Sequence, residues 1–489
     1  MSPYSLPEPG SIEAKLNSID LDLTFAQVST SAGPLTIRDA VLPSAILLFL
    51  RWLEHDEAEQ AAVAVFEGQE HFPSLPGELS WQALRTKRGL ELARYLDEIM
   101  LPSAYVQTQG TSREKYLREV IEPKMWQVTV HPYGQAIRQL ALSWPKLQAL
   151  PEPVRDALVQ LVDELPFERQ EDRQQGEQLL ATMIRQGATG RSAFYMPQAA
   201  ADLIIEVARP QPGERIYDPC FGSGSLLVTA ARRLREESSR FPARQWDELQ
   251  HNSLFGVEHY PGYYFVGLVR VILAGIEHPG LELGDVLDRP RIRNLSREGF
   301  DCILAVPPWR KVERGYSSSG GFAIPTTSSE ALFLQHIAAS LRSGGRAVVA
   351  LPNSFLFSAG SEKRVRKMLL EEFRVEGVIG LPSNVFKPYT NTESSLLVFS
   401  RNKPADAVRF LICPALRGAG PKPDAREGQT PQQVASAFLL PRLSGDAWTT
   451  PVRLLAKREW DLRPKRTGAD ELGQLLNEVT KASPRTQIL

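Results

Sequence analysis

The stretch from Glu214 to Val228, ERIYDPCFGSGSLLV, decides the fold: an apolar run ends at Ile216 and Tyr217, Asp218 and Pro219 stop it, and a glycine-broken turn passes into an apolar helix start. Gly222 and Gly224 supply the backbone freedom of a tight strand-to-helix turn and let a ligand lie against main chain. A carboxylate at the C-terminal end of a strand, followed by N–H groups at a helix start, suits a ligand that combines a cationic amine, a carboxylate and a ribose. S-Adenosylmethionine has all three. The spacing is not GxGxxG, and no Lys-Ser/Thr pair of a P-loop follows the glycines. The competing reading of the same residues is an ordinary glycine-rich βα turn.

Around this turn lie 489 residues, too many for one compact core, so two or three domains are expected. With 43% hydrophobic and 23% charged residues the chain has the composition of an ordinary globular protein. Its 56 Lys and Arg nearly balance 57 Asp and Glu, so no overall basic field advertises nucleic acid, although a basic cleft is compatible with that balance. Cys220, Cys302 and Cys413 lack CxxC spacing, which argues against a disulfide framework and a structural zinc site. A reducing cytoplasm is the expected compartment. The start of the chain has no basic segment followed by an apolar run, and no stretch reaches the ~18 apolar residues of a membrane span.

Residues 1–35, rich in Pro, Ser and Gly, read as a loose arm. From Arg38 to Phe66 runs a helix, apolar almost all round over Ile46 to Leu50, which makes it the core of an all-helical domain over 36–175. A charged helix follows over Gln170 to Gln186, then a turn at 187–192, then FYMP at 194–197 and a helix from Gln198. After the glycine turn, strand and helix signals alternate: strand SLFGVEHY, helix Tyr263 to Ile276, strand LELGDV, strand FDCILAV, helix Glu330 to Leu341, a turn at SGG 343–345, strand RAVVALP, helix Ser361 to Phe373, and strands VEGVIGLP and SSLLVFSR. The polar insertion from Arg235 to Asn252 reads as a surface extension, and Ser400 to Gly428 as a linker or irregular strand region. This is an α/β doubly wound sheet within residues 176–445, followed by a tail over 446–489. The tail ends in ADELGQLLNEVTK, whose Leu472, Leu475, Leu476 and Val479 form one stripe that wants an apolar surface.

Taken in order, FYMP, DPCFGSG, Glu258, Asp285 and VPPW at 306–309, with the later WDLRPKR at 460–466, resemble the modification subunits of type I restriction-modification systems, within the adenine-specific DNA methyltransferases. That resemblance implies an S-adenosylmethionine-dependent methyltransferase fold with an all-helical N-terminal domain and a short helical C-terminal tail. It implies that Phe194 contacts the methionine part of the cofactor, with Met196 where the family commonly has threonine. Asp218, Gly222 and Gly224 would line the methionine and ribose region, Glu258 would take the ribose hydroxyls, and Asp285 the adenine amine. Each carboxylate also reads as a helix cap or solvated strand end.

At the chemistry the chain departs from the family. The resemblance places catalysis on Val306, Pro307, Pro308 and Trp309, but Val306 stands where the motif has Asn, Asp or Ser. In that mechanism the flipped adenine stacks on the aromatic residue, and the first side chain and a neighbouring carbonyl accept hydrogen bonds from its exocyclic amine. Valine accepts none. Weak adenine methylation is therefore expected, with an inactive scaffold or cofactor sensor as the alternative and an RNA or protein methyltransferase as a third reading. The implied partners are DNA, a specificity subunit and a restriction subunit in a hetero-oligomer, since no target-recognition domain is legible in these residues. The loop from Arg310 to Ser329, with Arg310, Lys311 and Arg314, reads either as closing over DNA or as a solvated loop.

Overall fold

The computed structural model describes residues 29–30, 33–34, 37–67, 80–96, 146–167, 169–187, 196–238, 243–288, 298–312, 322–387, 390–419, 428–440 and 446–465. Two compact units divide the chain. The first comprises Met1–Pro197, Pro210–Val286 and Pro388–Thr390; the second comprises Gln198–Arg209, Leu287–Lys387 and Asn391–Leu489. Phe194, Arg314, the whole region 97–145 and the tail stretch 469–481 that the sequence reads as a helix lie outside the described residues.

In the first unit, strands β1 (Ser29–Thr30) and β2 (Gly33–Pro34) form a short antiparallel ladder. Helices α1 (Ile37–Glu67), α2 (Trp81–Arg85), α3 (Gly89–Tyr95), α4 (Glu152–Asp163) and α5 (Gln170–Gln186) follow. The run Ile46 to Leu50 is at most 1% exposed, as an all-round apolar helix requires. Next come β3 (Ile216–Asp218), α7 (Ser225–Ser238), α8 (Ala243–Asn252), β4 (Leu254–Glu258), α9 (Pro261–Leu273) and β5 (Gly280–Leu283), with the three strands parallel in the order β3-β4-β5. The insertion read as a surface extension thus carries a helix, α8. Phe49 of α1 meets Phe265 of α9 edge to face at 5.4 Å, so the helices before residue 187 and the strands that carry the glycine turn share one core.

The second unit holds α6 (Gln198–Ala208), β6 (Phe300–Ala305), α10 (Ser329–Ser340), β7 (Leu341–Pro352), α11 (Ser361–Glu372), β8 (Arg374–Gly380), β9 (Ser394–Ser400), β10 (Ala407–Ile412), α12 (Pro431–Leu439), β11 (Ala447–Pro451) and α13 (Val452–Lys457). Its strand order is β11-β10-β8-β9-β7-β6. Strands β6 and β7 run parallel, β9 is antiparallel to both β7 and β8, and β10 is parallel to β8 and antiparallel to β11. Every residue of β6 and β9 is buried, which means that both faces of this sheet are covered, as in α/β folds.

Two local readings change. No turn interrupts the chain at SGG 343–345; β7 runs through it, and the register against β6 shifts between Phe300 and Cys302. Gly344 takes φ +80°, and a Cβ on Gly345 would lie 2.5 Å from the Phe300 carbonyl oxygen, so glycines here permit close strand approach rather than chain reversal. The region after Ser400 contributes a true strand, β10, in which Val408 and Phe410 alternate with part-exposed Ala407 and Arg409. In the same region a second strand, β11, follows within the first residues of the stretch read as a tail.

Candidate functional site

At the C-terminal end of β3 the chain turns sharply because Asp218 caps its own continuation: its Oδ1 accepts from the Cys220 N–H at 2.9 Å. Gly222 and Gly224 follow with φ of +57° and +82°, a region that excludes most side chains, and the Gly224 N–H donates to the Phe221 carbonyl at 2.8 Å. The Val228 N–H then donates to the Gly224 carbonyl at 2.8 Å, starting α7. From β4, Glu258 reaches back to the turn. Its Oε2 accepts from the Gly222 N–H at 2.9 Å and its Oε1 from the Tyr260 N–H at 2.7 Å.

Both carboxylates are buried. Burial pushes Asp218 up to about 7, the nearby Glu258 charge acting in the same direction against the Cys220 N–H. Burial also raises Glu258, opposed by the main-chain donors Tyr260, Gly222 and His259. Two buried acids with raised pKa beside a glycine-broken turn form a cradle suited to a ligand that brings a positive charge and hydroxyl donors. Asp285 follows β5 and is part-exposed; its loop is tied to the site where the Gly284 N–H donates to the Glu258 carbonyl at 2.9 Å. Asp218, Gly222, Gly224, Glu258 and Asp285 therefore gather at the C-terminal edge of three neighbouring parallel strands.

Residues absent from the sequence reading hold this edge together. Phe221 is buried against Gly256 and Gly267: a Cβ on Gly256 would lie 2.7 Å from its Cδ1, and one on Gly267 would lie 2.7 Å from its Cε2 and 2.9 Å from the Gly222 carbonyl oxygen. The legible signal was a glycine inside an apolar helix, where its low helix propensity needs a packing reason. Gly267→Ala should therefore destabilise the protein by ~1–3 kcal/mol through overpacking, although the same change in a free helix stabilises by about 1 kcal/mol. Thermal denaturation decides the sign, and a more stable variant would refute this packing. A second signal was Arg270, a lone charge in the apolar run VGLVRVILAG, which must find buried partners.

In the second unit, Val306 and Pro307 are buried at the end of β6, and Pro308 and Trp309 are part-exposed. The Trp309 indole N–H donates to the Ala350 carbonyl at 3.4 Å, and its ring meets Phe386 edge-on with centroids 5.5 Å apart. That anchors the indole while leaving part of it open. Beyond Trp309 the loop begins as a zipped pair: Lys311 bridges Ser328, the Val312 N–H donates to the Thr327 carbonyl at 2.9 Å, and the Ser329 N–H donates to the Arg310 carbonyl at 3.1 Å. The WDLRP segment is also docked. Arg366, fully buried, donates to the Phe355 carbonyl at 2.7 Å and to the Trp460 carbonyl at 2.8 Å, and holds Glu459 and Trp460 at φ of +56° and +60°.

The sequence pattern of the N-6 DNA Methylase family matches residues 175–422, just over half of the chain. The type I restriction enzyme EcoEI methylase subunit of Escherichia coli is 27% identical over 263 residues, covering 53% of this chain and 52% of that protein. The EcoKI methylase subunit of Escherichia coli K12 is 26% identical over 245 residues, 48% of this chain and 45% of that one. The chain thus matches about half the length of these relatives. Among solved structures, a chain from work on complex assembly and conformational transition of the type I R-M system superposes with a TM-score of 0.71 at 25% identity, covering 97% of this chain and 96% of that one. A type I restriction-modification system methyltransferase subunit from Streptococcus thermophilus superposes with a TM-score of 0.62 at 19% identity, over 93% and 98% of the two chains, and shares the fold.

Proposed function

Since the chain belongs to the N-6 DNA methylase family, we propose that it is an S-adenosylmethionine-dependent modification subunit directed at the exocyclic amine of adenine in DNA. The observation that carries this reading is the buried pair Asp218 and Glu258 closed around the Gly222–Gly224 turn. When bound, the cofactor supplies an electrophilic methyl on a positively charged sulfur. Asp218 balances its positive charge, Glu258 receives ribose hydroxyls, Asp285 meets the adenine amine of the cofactor, and Phe194 covers the methionine part. On the base side, the Trp309 face stacks the extruded adenine and the Pro307 carbonyl accepts one amine hydrogen. Val306 offers no second acceptor, so the amine nitrogen is oriented by one bond instead of two.

The partners follow from the relatives, which are methylase subunits of type I restriction enzymes. We assign DNA, a specificity subunit and a restriction subunit to this chain, with the helical region 36–175 and the part of the tail beyond the docked WDLRP segment as docking elements around a methyltransferase region that β11 extends past residue 445. Arg310 and Lys311, exposed just after Trp309, offer positive charge to displaced DNA. The buried, apolar Val306 favours a second reading, a pseudo-methyltransferase that binds DNA and senses cofactor. Equilibrium binding of S-adenosylmethionine is the first test, and no binding at millimolar ligand would remove the basis of both. Transfer of labelled methyl to DNA, RNA and protein, with partner subunits present, then separates an adenine methylase from a scaffold: label in DNA adenine supports the first reading, and binding without transfer the second.

A further inference from the structure

Against the glycine turn lies an ionic chain, buried at Glu177 and Arg270, that no role above uses. Glu177 on α5 and Arg270 on α9 have side chains only 1% and 4% exposed. Glu177 Oε1 accepts from Arg270 Nε at 3.0 Å and Nη2 at 2.8 Å, and its Oε2 pairs with Arg232 of α7. The remaining arm of the guanidinium, Nη1, donates to the Ser223 carbonyl at 2.7 Å, with the Ser225 hydroxyl at 3.2 Å and the Ser223 hydroxyl at 3.4 Å. Gly176 makes the approach of α5 possible, because a Cβ there would lie 2.9 Å from Leu48 Cδ2 and 3.3 Å from Leu273 Cδ1.

The target of Arg270 is the peptide between Ser223 and Gly224. A planar peptide fixes its carbonyl and its N–H in opposite directions, so holding the Ser223 oxygen also aims the Gly224 N–H, which donates to the Phe221 carbonyl at 2.8 Å. With glycine on both sides of Ser223, this stretch has little conformational preference of its own and rotates readily between turn types. The Nη1 arm of Arg270 removes that freedom, and Glu177 Oε1, accepting from Nε and Nη2, fixes the plane of the guanidinium. We propose that Arg270 and Glu177 are positioning residues that clamp the cofactor turn in its binding conformation, so that helix α5 takes a direct part in cofactor affinity. This rests on the reading of the turn as the S-adenosylmethionine cradle.

The test uses the full chain and two readouts, amide hydrogen exchange over residues 219–228 without ligand and the S-adenosylmethionine Kd. Glu177→Gln removes the negative charge that both Arg270 nitrogens meet at Oε1, Arg270→Lys removes the two-pronged donation, and each should raise the Kd by about tenfold, the scale of one charged hydrogen bond. Exchange at Phe221 to Gly224 should accelerate while that of the rest of α9 stays as in wild type. Removing one charge from a buried pair endangers folding, so the double variant Glu177→Met with Arg270→Met accompanies them, replacing the pair by apolar side chains of similar size. It should fold and still show the faster turn and the weaker binding. Wild-type exchange and affinity in folded variants would overturn the clamp. If wild type itself binds no S-adenosylmethionine, the cofactor reading fails, and the exchange difference alone still decides whether the clamp exists.

Discussion

Val306→Asn is expected to raise adenine methylation by on the order of 10²- to 10³-fold, the scale on which single oriented hydrogen-bond partners act in catalytic sites. Asparagine restores the acceptor beside the Pro307 carbonyl and the Trp309 face. Cofactor affinity should scarcely change, because the residues proposed to hold the cofactor stand at the ends of β3, β4 and β5. Burying an amide at this 7% exposed position costs ~1–3 kcal/mol of stability until the adenine amine pairs with it. Trp309→Ala should move the other way, losing base stacking worth ~1–3 kcal/mol in DNA affinity or residual rate. Both are measured as labelled methyl transfer to adenine with partner subunits present. A wild-type protein that already methylates at ordinary rates, with Val306→Asn no faster, would show that the acceptor account is wrong. An inert Val306→Asn that still binds cofactor and DNA would favour the scaffold.

Asp218→Ala is expected to raise the S-adenosylmethionine Kd by ~10- to 100-fold, the loss of one buried charge-assisted contact of roughly 1.5–3 kcal/mol. The wild-type affinity should also depend on pH. Burial lifts the Asp218 carboxyl from 3.8 to about 7, so near neutrality a cationic ligand must displace a proton. Affinity therefore rises with pH up to about 7 and levels off above it, changing by up to ~tenfold per unit on the acid side. The stability of the ligand-free protein has the opposite slope. The folded state holds this proton more tightly than the unfolded chain, so the contribution of the group declines as pH rises from about 4 to about 7 and is level above. Asp218→Asn should flatten both profiles, seen by calorimetric titration and denaturant unfolding across that range. Unchanged affinity in folded Asp218→Ala would place the cofactor elsewhere.

What the sequence determined by itself was the order of the parts. Helix and strand periodicities are local, so the helices Ile37–Glu67, Gln170–Gln186 and Gln198–Ala208 and the turn after β3 were legible where they stand. Val306 was legible as a departure only against the motif that the resemblance to the adenine methyltransferases implies. The tertiary structure alone decided which distant residues meet. Glu258 bonds the Gly222 N–H from 36 residues away only because β4 lies beside β3, and Arg270 joins Glu177, 93 residues earlier, to Ser223 only because α5 and α9 pack closely at Gly176. The pairing of β9 antiparallel between β7 and β8, and the strand status of β10, likewise depend on neighbours supplied by other parts of the chain. Backbone hydrogen bonds between strands and buried ion pairs are satisfied through space, whereas periodicity records only which face of an element is apolar.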